Sequence, residues 1–413
     1  MSDSLSATAD PQFIPAEIEE RAEAAWPAIF SLTMGVFGLV TAEFLPASLL
    51  TPIAADLGIS DGAAGQAVTA TAVIGAVAGV ATAIMTRGID RRIVMWALTS
   101  LLVVSSLLAA VATGLTTLLF ARLLLGIGLG GFWSMAAATA MRLVPARLLP
   151  RAMSIIFTGV SVATVSAAPI GAYLGEAIGW RAVFVISAGI GAVTLLAQVL
   201  TLPKLPPLAA PSIGTLFELL ARPSIRLVLF AVLVIISGHF AGFTYVRPFL
   251  EQVPLLKVEA ISLVLLAYGV GGFFGNFAGG AVVARSVKAA VVLGSLAIGL
   301  AALALLFFGA SSLVSGLAIA LWGFAFGFLP VGIQTWTVRV AADQAEAAGG
   351  LLVAAFQVAI AGGAIFGGLL VDHLGALGAV GYLATATLLG AALVLGLGRE
   401  PPAASGAAPA MAG

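Results

Sequence analysis

The chain contains no cysteine, and it carries few charges for its length. The absence of cysteine excludes disulfides, thiolate metal sites and a cysteine nucleophile. Only 9% of the 413 residues are charged, whereas soluble domains are about a quarter charged. Hydrophobic residues make up 61%, and the mean hydropathy is +1.16. Charges this sparse cannot cover a water-soluble protein of this size, so the composition predicts a membrane protein.

Several other kinds of site are also excluded by what is missing. The two histidines, His239 and His373, do not have metal-ligand spacing. The net charge of zero does not favour a nucleic-acid partner. The chain lacks the phosphate-binding pattern GxxxxGK[ST], and its apolar stretches hold too few polar groups for a catalytic set. We therefore expect no metal, no cofactor, no enzymatic activity and no energy supply from ATP.

The sequence predicts an all-α membrane protein with 12 transmembrane helices in two pseudo-symmetric six-helix bundles. Stretches long enough to cross a bilayer fall at about 27–50, 62–85, 93–111, 115–140, 152–174 and 182–202, and again at 227–248, 259–283, 287–309, 313–337, 346–370 and 377–397. We expect an acidic cytoplasmic N-terminal segment (1–25), a first bundle (26–202), a cytoplasmic linker (203–226), a second bundle (227–397) and a disordered C-terminal tail (398–413). The acidic N-terminus lacks the basic region of a cleaved signal peptide, so the first span is predicted to be an uncleaved signal anchor.

The basic residues predict which side of the membrane each loop occupies. With the N-terminus inside, fourteen fall in cytoplasmic segments: Arg21, Arg87, Arg91, Arg92, Arg142, Arg147, Arg151, Lys204, Arg222, Arg226, Arg285, Lys288, Arg339 and Arg399. Three fall outside, namely Arg181, Arg247 and Lys257. This positive-inside bias predicts a multi-pass membrane protein with an even number of spans and both termini in the cytoplasm.

The two halves of the chain resemble each other at an offset of 197 residues. The stretches "GIGLGGFWSMAAATAMR" (126–142) and "GFAFGFLPVGIQTWTVR" (323–339) share two glycines and a terminal arginine, and Gly171 and Gly368 keep the same offset. This pattern favours a parallel duplication of six helices, as in transporters that bind their substrate between two halves.

At this point the chain resembles the Major Facilitator Superfamily, and in particular its branch of drug:proton antiporters with twelve helices. "LLFARLLLGIGLGG" (118–131) resembles the fourth-helix motif of that branch, and "GVSVATVSAAPIGAYLG" (159–175) its fifth-helix antiporter motif, with Ala168 in place of a glycine. "GWRAVF" (179–184) is also recurrent there. The loop "ATAIMTRGIDRRIVM" (81–95) keeps the terminal arginine pair but has Arg87 where an aspartate is expected.

A closer resemblance indicates the transported compound. "AEFLPASLLTPIAADLGIS" (42–60), "GGFWSMAAATAMRLVP" (130–145), "FTYVRP" (243–248) and "ADQAEAAG" (342–349) are similar to the exporters of purine ribonucleosides in this branch. The resemblance implies a monomer that exchanges a small neutral purine ribonucleoside for protons across a lipid bilayer. Export of sugars or lipophilic drugs, and inward facilitated transport, remain the alternatives.

Three ionisable residues within the spans are candidates for proton coupling. Glu43 lies inside the first span, where a charged carboxylate costs roughly 2.5–3.5 kcal/mol or more, so it is expected to be functional rather than a packing group. Arg122 is the cation within the fourth span; it either supports Glu43 or a substrate, or holds carbonyl groups of neighbouring helices. His239, in the seventh span, is either a proton relay or a packing residue. Arg247 is expected to reach the membrane surface by snorkelling.

Polar and planar side chains within the spans are candidates for substrate binding. Amides offer the paired donors and acceptors that can bind a purine edge, and aromatic rings offer stacking surfaces. The candidates are Gln66, Trp133, Phe243, Tyr245, Asn276, Gln334, Trp336 and Gln357, together with Trp322. The candidate gating or packing residues are Arg91, Arg92, Gly126, Gly130, Pro169 and Gly171.

Overall fold

The computed structural model describes residues 24–86, 88–145, 148–206 and 213–398. Within these residues the chain forms fifteen α-helices, and twelve of them are long and apolar enough to cross a membrane. The predicted all-α fold and the predicted number of spans are confirmed. The N-terminal segment up to residue 23, Arg87 and the tail from residue 399 lie outside the described residues.

The first half of the chain contains six spanning helices and one short helix. In chain order they are α1 (Trp26–Ser48), the short α2 (Leu50–Leu57), α3 (Asp61–Met85), α4 (Arg91–Ala110), α5 (Leu115–Leu143), α6 (Leu149–Ile178) and α7 (Trp180–Thr201).

The second half repeats this order after a connecting helix, α8 (Ile213–Ala221). The remaining helices are α9 (Pro223–Thr244), the short α10 (Val246–Gln252), α11 (Val258–Val283), α12 (Val287–Phe308), α13 (Ser312–Val340), α14 (Ala345–Leu374) and α15 (Ala376–Leu397). A 3-10 turn, Ala342–Gln344, precedes α14.

The first and seventh spans end earlier than the hydropathy predicts, because each helix breaks. The apolar runs reach residues 50 and 248, but α1 ends at Ser48 and α9 at Thr244. Pro52 and Pro248 follow four residues later. A proline has no N–H to donate to the carbonyl four residues earlier, so the last carbonyl of each helix lacks its helical donor at the point where the helix ends.

Equivalent helices pack together in the two halves. α1 packs on α6 as α9 packs on α14, α3 on α5 as α11 on α13, and α4 on α7 as α12 on α15. Small residues permit the closest approach: a Cβ on Gly130 would overlap the backbone of Gly75, and one on Gly126 would lie 2.5 Å from the carbonyl oxygen of Thr71. These two predicted packing glycines therefore hold α5 against α3.

The two halves meet through α3 with α14 and through α6 with α11. We call the end of the bundle where α1 ends and α3 begins the upper end, and the opposite end the lower end. Core clusters toward the upper end mix both halves, as where Tyr245 and Val371 join Leu45 and Leu49. Toward the lower end, clusters such as that of Leu219, Ile225, Ala341 and Ala348 belong to one half.

The segment between the halves is attached to both at the lower end. Arg142 at the end of α5 donates to the carbonyl of Pro206, 2.7 Å away. Arg222, before α9, donates two hydrogen bonds of 2.8 and 2.6 Å to Asp343. This pairing lowers the pKa of Asp343 below its usual value. The exposed pair thus ties the start of α9 to the turn before α14.

Candidate functional site

A carboxyl group and a guanidinium lie side by side in the upper half of the first bundle. Glu43 is on α1, and its side chain is partly exposed. Arg122 is on α5 and is 1% exposed. Its Nη2 lies 3.5 Å from the backbone carbonyl oxygen of Glu43, and the ion pairs within 4.0 Å among the described residues do not include this pair. The Glu43 carboxyl group is therefore close to a buried cation without being bound by it.

Arg122 is held by groups on two neighbouring helices. Its Nη1 donates to the carbonyl of Ala42 at 3.0 Å, and its Nε donates to Oγ1 of Thr71 at 3.0 Å. Pro46 has no N–H, so the Ala42 carbonyl lacks its usual helical donor. Arg122 supplies the missing donor and joins α1, α3 and α5 at the position of Glu43.

An aromatic cluster occupies the corresponding region of the second half. His239 and Phe243 on α9 contact Tyr268 on α11, and Phe240 packs against both of these α9 rings. Trp322 and Phe326 on α13 contact His239 and complete the cluster. Phe44, which follows Glu43, packs its ring against Phe243 with 5.5 Å between the ring centroids. The charged groups of the first half thus adjoin the aromatic cluster of the second.

His239 is fixed at the centre of this cluster. The indole Nε1 of Trp322 donates to its Nδ1 at 3.0 Å, and its Nε2 lies 3.3 Å from the hydroxyl of Tyr268. An indole nitrogen can only donate, so Nδ1 is an unprotonated acceptor. The imidazole is therefore neutral in this structure, with its proton on Nε2.

One side of α13 becomes more exposed toward the lower end. Trp322, Phe326, Pro330 and Gln334 follow one another at intervals of four residues, so they lie along one stripe of the helix. Trp322 is buried, Phe326 and Pro330 are partly exposed, and Gln334 is exposed. An exposed amide within a span is expected to face water rather than lipid. This stripe indicates a gap between the halves that widens toward the lower end.

The four predicted amide side chains do not meet in one place. Gln66 on α3 bonds weakly to Gly62 of its own helix, with 3.4 Å between the atoms. Gln357 on α14 is buried, and its amide nitrogen occupies the space in front of Gly75 on α3. Asn276 on α11 is exposed, as is Gln334 on α13. Gln357 is therefore the amide that touches both halves.

The predicted aromatic residues are also dispersed. Phe243 belongs to the aromatic cluster. Trp133 on α5 is partly buried against Phe157 of α6, with 5.9 Å between centroids. Tyr245 is fully buried at the upper end and donates to the carbonyl of Ala364 at 2.9 Å. Trp336 is buried in the core of the second half.

At the upper end, polar groups join the two halves. Asp372 on α14 accepts hydrogen bonds from the hydroxyl of Ser60 at 2.9 Å and from the N–H of Gly62 at 3.0 Å. Arg247 donates to the carbonyl of Ser48 at 2.7 Å, which Pro52 leaves without its helical donor. The prediction that Arg247 snorkels is wrong: it is 3% exposed, because its donors are used by Ser48 of the other half and by Glu251 on α10. The upper side of the seam is closed.

The remaining predicted gating residues make contacts within the first half. Arg91 donates to the carbonyl and the hydroxyl of Thr86, and Arg92 lies over the ring of Trp96. Pro169 lies inside α6. A Cβ on Gly171 of the same helix would lie 2.6 Å from the hydroxyl of Ser48, so this glycine lets α6 approach α1.

Sequence reasoning missed Phe44, Tyr268 and Phe326. These three residues carry no charge that would single them out within a span. The interval of four between Trp322 and Phe326 was a usable signal, since it places both rings on one face of α13. Within the described residues, no group of three or more His, Asp or Glu could hold a metal ion.

Comparisons with known proteins agree on the family. The model of the Major Facilitator Superfamily matches residues 30–361. The purine ribonucleoside efflux pump NepI of Salmonella paratyphi B is 41% identical over 377 residues, which cover 91% of this chain and 95% of that protein.

Two solved structures share the fold at low sequence identity. A bacterial homologue of the human lysosomal transporter Spinster, in an inward-facing and unoccupied conformation, matches with a TM-score of 0.68 and 16% identity, covering 90% of this chain and 95% of that one. The human organic anion transporter MFSD10 matches with a TM-score of 0.62 and 18% identity, covering 90% and 98% of the two chains.

Proposed function

Since the chain belongs to the Major Facilitator Superfamily, we propose that it exports purine ribonucleosides such as inosine and guanosine in exchange for protons. The observation that carries the substrate is the 41% identity to a purine ribonucleoside efflux pump over 91% of the chain. This similarity extends across almost all of both halves, so it includes the residues that line the seam between them.

Proton exchange is supported by the position of Glu43. A carboxyl group in an apolar span favours its neutral form, and it releases the proton when water and a cation stabilise the charged form. Glu43 is partly exposed beside Arg122, so it can meet both conditions. With the upper end closed, we expect water and nucleoside to enter from the lower end, and binding of a nucleoside near Glu43 would favour release of the proton on that side.

The basic residues support an orientation in the membrane. The positive-inside bias favours a protein whose lower end and both termini face the cytoplasm, and the similarity to an efflux pump of Salmonella supports the bacterial inner membrane. A closed upper end is then the state that takes nucleoside from the cytoplasm. The opposite state would take up a proton from outside as the nucleoside leaves. We propose that a single chain performs this cycle.

Two experiments test the substrate. Cells that overproduce the protein should resist toxic purine nucleosides and release more inosine than cells producing the Glu43→Gln variant. Resistance to unrelated lipophilic drugs alone would contradict the substrate and favour the alternative of a drug exporter. Gradient-independent equilibration of inosine would favour a facilitator.

A further inference from the structure

The ring of Phe326 is stacked on the imidazole of His239 and is partly exposed. The two rings are nearly parallel, at 6° with 3.7 Å between centroids, and the histidine is 1% exposed. The imidazole thus covers one face of Phe326. The imidazole fixes the orientation of the Phe326 ring, and the rest of the ring is not fully covered by protein.

The support beneath Phe326 is rigid. Trp322 and Tyr268 hold the two nitrogens of the imidazole, and Phe243 lies parallel to it with 6.0 Å between centroids. A ring held in this way loses little conformational freedom when a ligand binds, so a larger share of the stacking energy appears as affinity.

The backbone of Phe326 also offers a hydrogen-bond acceptor. Pro330 lies four residues later in α13 and has no N–H, so the carbonyl of Phe326 lacks its helical donor. Carbonyl groups of a helix point toward its C-terminus, which for α13 is the lower end, where Gln334 is exposed. A carbonyl that a proline frees within the membrane needs another donor, such as a side chain, water or a ligand.

We propose that Phe326 forms the subsite for the heterocyclic base of the substrate, with its ring as the stacking surface and its carbonyl as an acceptor for an N–H or O–H group. His239 is a positioning residue for that ring. The subsite accepts planar heterocycles that carry hydrogen-bond donors. This inference rests on the proposed nucleoside export and names the residue that recognises the base.

The position of the subsite connects binding to proton exchange. Phe44 on α1 contacts Phe243 of the same aromatic cluster, and Glu43 is the adjacent residue. A base stacked on Phe326 therefore lies at a cluster that reaches the carboxyl-bearing segment of the other half. Binding there can compete with the proton without direct contact to Glu43.

The first test removes the ring and keeps an apolar side chain. For Phe326→Leu in purified protein, the Kd for radiolabelled inosine should rise roughly 5- to 150-fold, which is the value of one base–aromatic stack. Phe326→Tyr should keep the wild-type Kd. The matched control is Phe324→Leu on the same helix, whose ring packs against Phe328 instead, and its Kd should not change. An unchanged Kd for Phe326→Leu would overturn the proposal.

The second test addresses the carbonyl. Pro330→Ala restores a helical N–H, so it should raise the melting temperature while weakening inosine binding about 2- to 10-fold. These effects have opposite signs, which a general disturbance of folding would not produce. A more stable variant with unchanged affinity would overturn the role of the carbonyl. If Phe326→Leu does not fold, the Kd of Pro330→Ala for inosine still tests whether this subsite binds the substrate.

The third test separates His239 from proton exchange. His239→Leu should raise the KM for inosine because the ring of Phe326 loses its support, while the pH profile of transport stays that of the wild type. A shifted pH profile at unchanged KM would contradict the positioning role. If the wild-type protein does not bind inosine at all, the proposed function itself fails, and that outcome is distinct from each of these.

Discussion

At the scale of single residues, Glu43 and Arg122 have different roles although they are neighbours in space. Arg122 donates hydrogen bonds to the Ala42 carbonyl and to the Thr71 hydroxyl, so it holds α1, α3 and α5 together. Glu43 has a partly exposed side chain at the seam. The structure thus supports a structural task for the cation and leaves the carboxyl group free for exchange.

Glu43→Gln should abolish uphill export without unfolding the protein. Glutamine matches the shape of the protonated acid, so the variant should reach the membrane in normal amounts and should keep downhill exchange of inosine. The measurement is inosine uptake into everted vesicles with and without a pH gradient. Glu259→Gln, which changes an exposed acid in the first turn of α11, is the matched control. Full gradient-driven accumulation by Glu43→Gln would leave this residue as a packing group.

Arg122→Lys should destabilise the protein. One ammonium group cannot reach both the Ala42 carbonyl and the Thr71 hydroxyl, and losing a hydrogen bond to a charged group costs about 1.5–3 kcal/mol. The melting temperature of the purified variant should fall clearly. Arg181→Lys is the control: Arg181 also has two partners, Asp56 and the carbonyl of Ala112, but its side chain is 39% exposed, and exposed ion pairs contribute little. Equal melting temperatures for Arg122→Lys and the wild type would contradict the structural task.

At the scale of helices, prolines and glycines determine where the spans break and where they touch. Pro46 and Pro52 free two carbonyls of α1, those of Ala42 and Ser48, and arginines from other helices bind both of them. Gly126 and Gly130 have no side chains, and a side chain at either position would separate α5 from α3. Backbone geometry at these positions therefore fixes which partners the polar side chains find.

Gly130→Ala should separate α5 from α3. The added methyl group would overlap the carbonyl oxygen of Gly75, and overpacking of this kind costs about 1–3 kcal/mol. Gly189→Ala on α7 is the matched control, because a Cβ there meets nothing within 4 Å. Melting temperatures of both variants in detergent provide the comparison. A Gly130→Ala variant as stable as Gly189→Ala would show that α3 and α5 can accommodate the added methyl group, which would contradict their close packing.

The sequence was sufficient to predict the spans, because crossing hydrocarbon requires length and apolarity, and both are local properties. It was also sufficient to single out Glu43 and Arg122 by their cost in a membrane. It could not show that Arg122 binds Ala42, since the two residues are 80 positions apart. Arg247 was wrongly placed for the same reason: its partner, Ser48, belongs to the other half. Phe326 was missed because its environment depends on packing between α9 and α13.

At the scale of the whole molecule, the seam between the halves is closed at the upper end. Asp372 joins α14 to the start of α3, and Arg247 joins the segment after α9 to the end of α1. An alternating-access cycle must break these contacts to open the upper side. Their strength therefore sets the balance between the two states.

Asp372→Asn should shift the population toward the state that is open at the upper end. The hydrogen bonds that an amide oxygen accepts are roughly half as strong as those that a carboxylate accepts. The chain has no cysteine, so spin labels attached at Ile178→Cys and Leu374→Cys report the distance across the upper end. We expect a larger fraction of long distances. Asp56→Asn, which affects an ion pair within the first half, should leave the distribution unchanged.

The same distance distribution for Asp372→Asn and the wild type would contradict the role of this contact. An equal shift in Asp56→Asn would indicate a general effect of charge at the upper end rather than a specific closure of the seam.

The central claim is that a proton gradient drives purine ribonucleosides through this protein, and inosine uptake by everted membrane vesicles tests it most directly. With an acidic interior, the wild-type protein should accumulate labelled inosine above its external concentration, and nigericin should release the excess by dissipating the pH gradient. Uptake that stops at equal concentrations with or without the gradient would contradict the account.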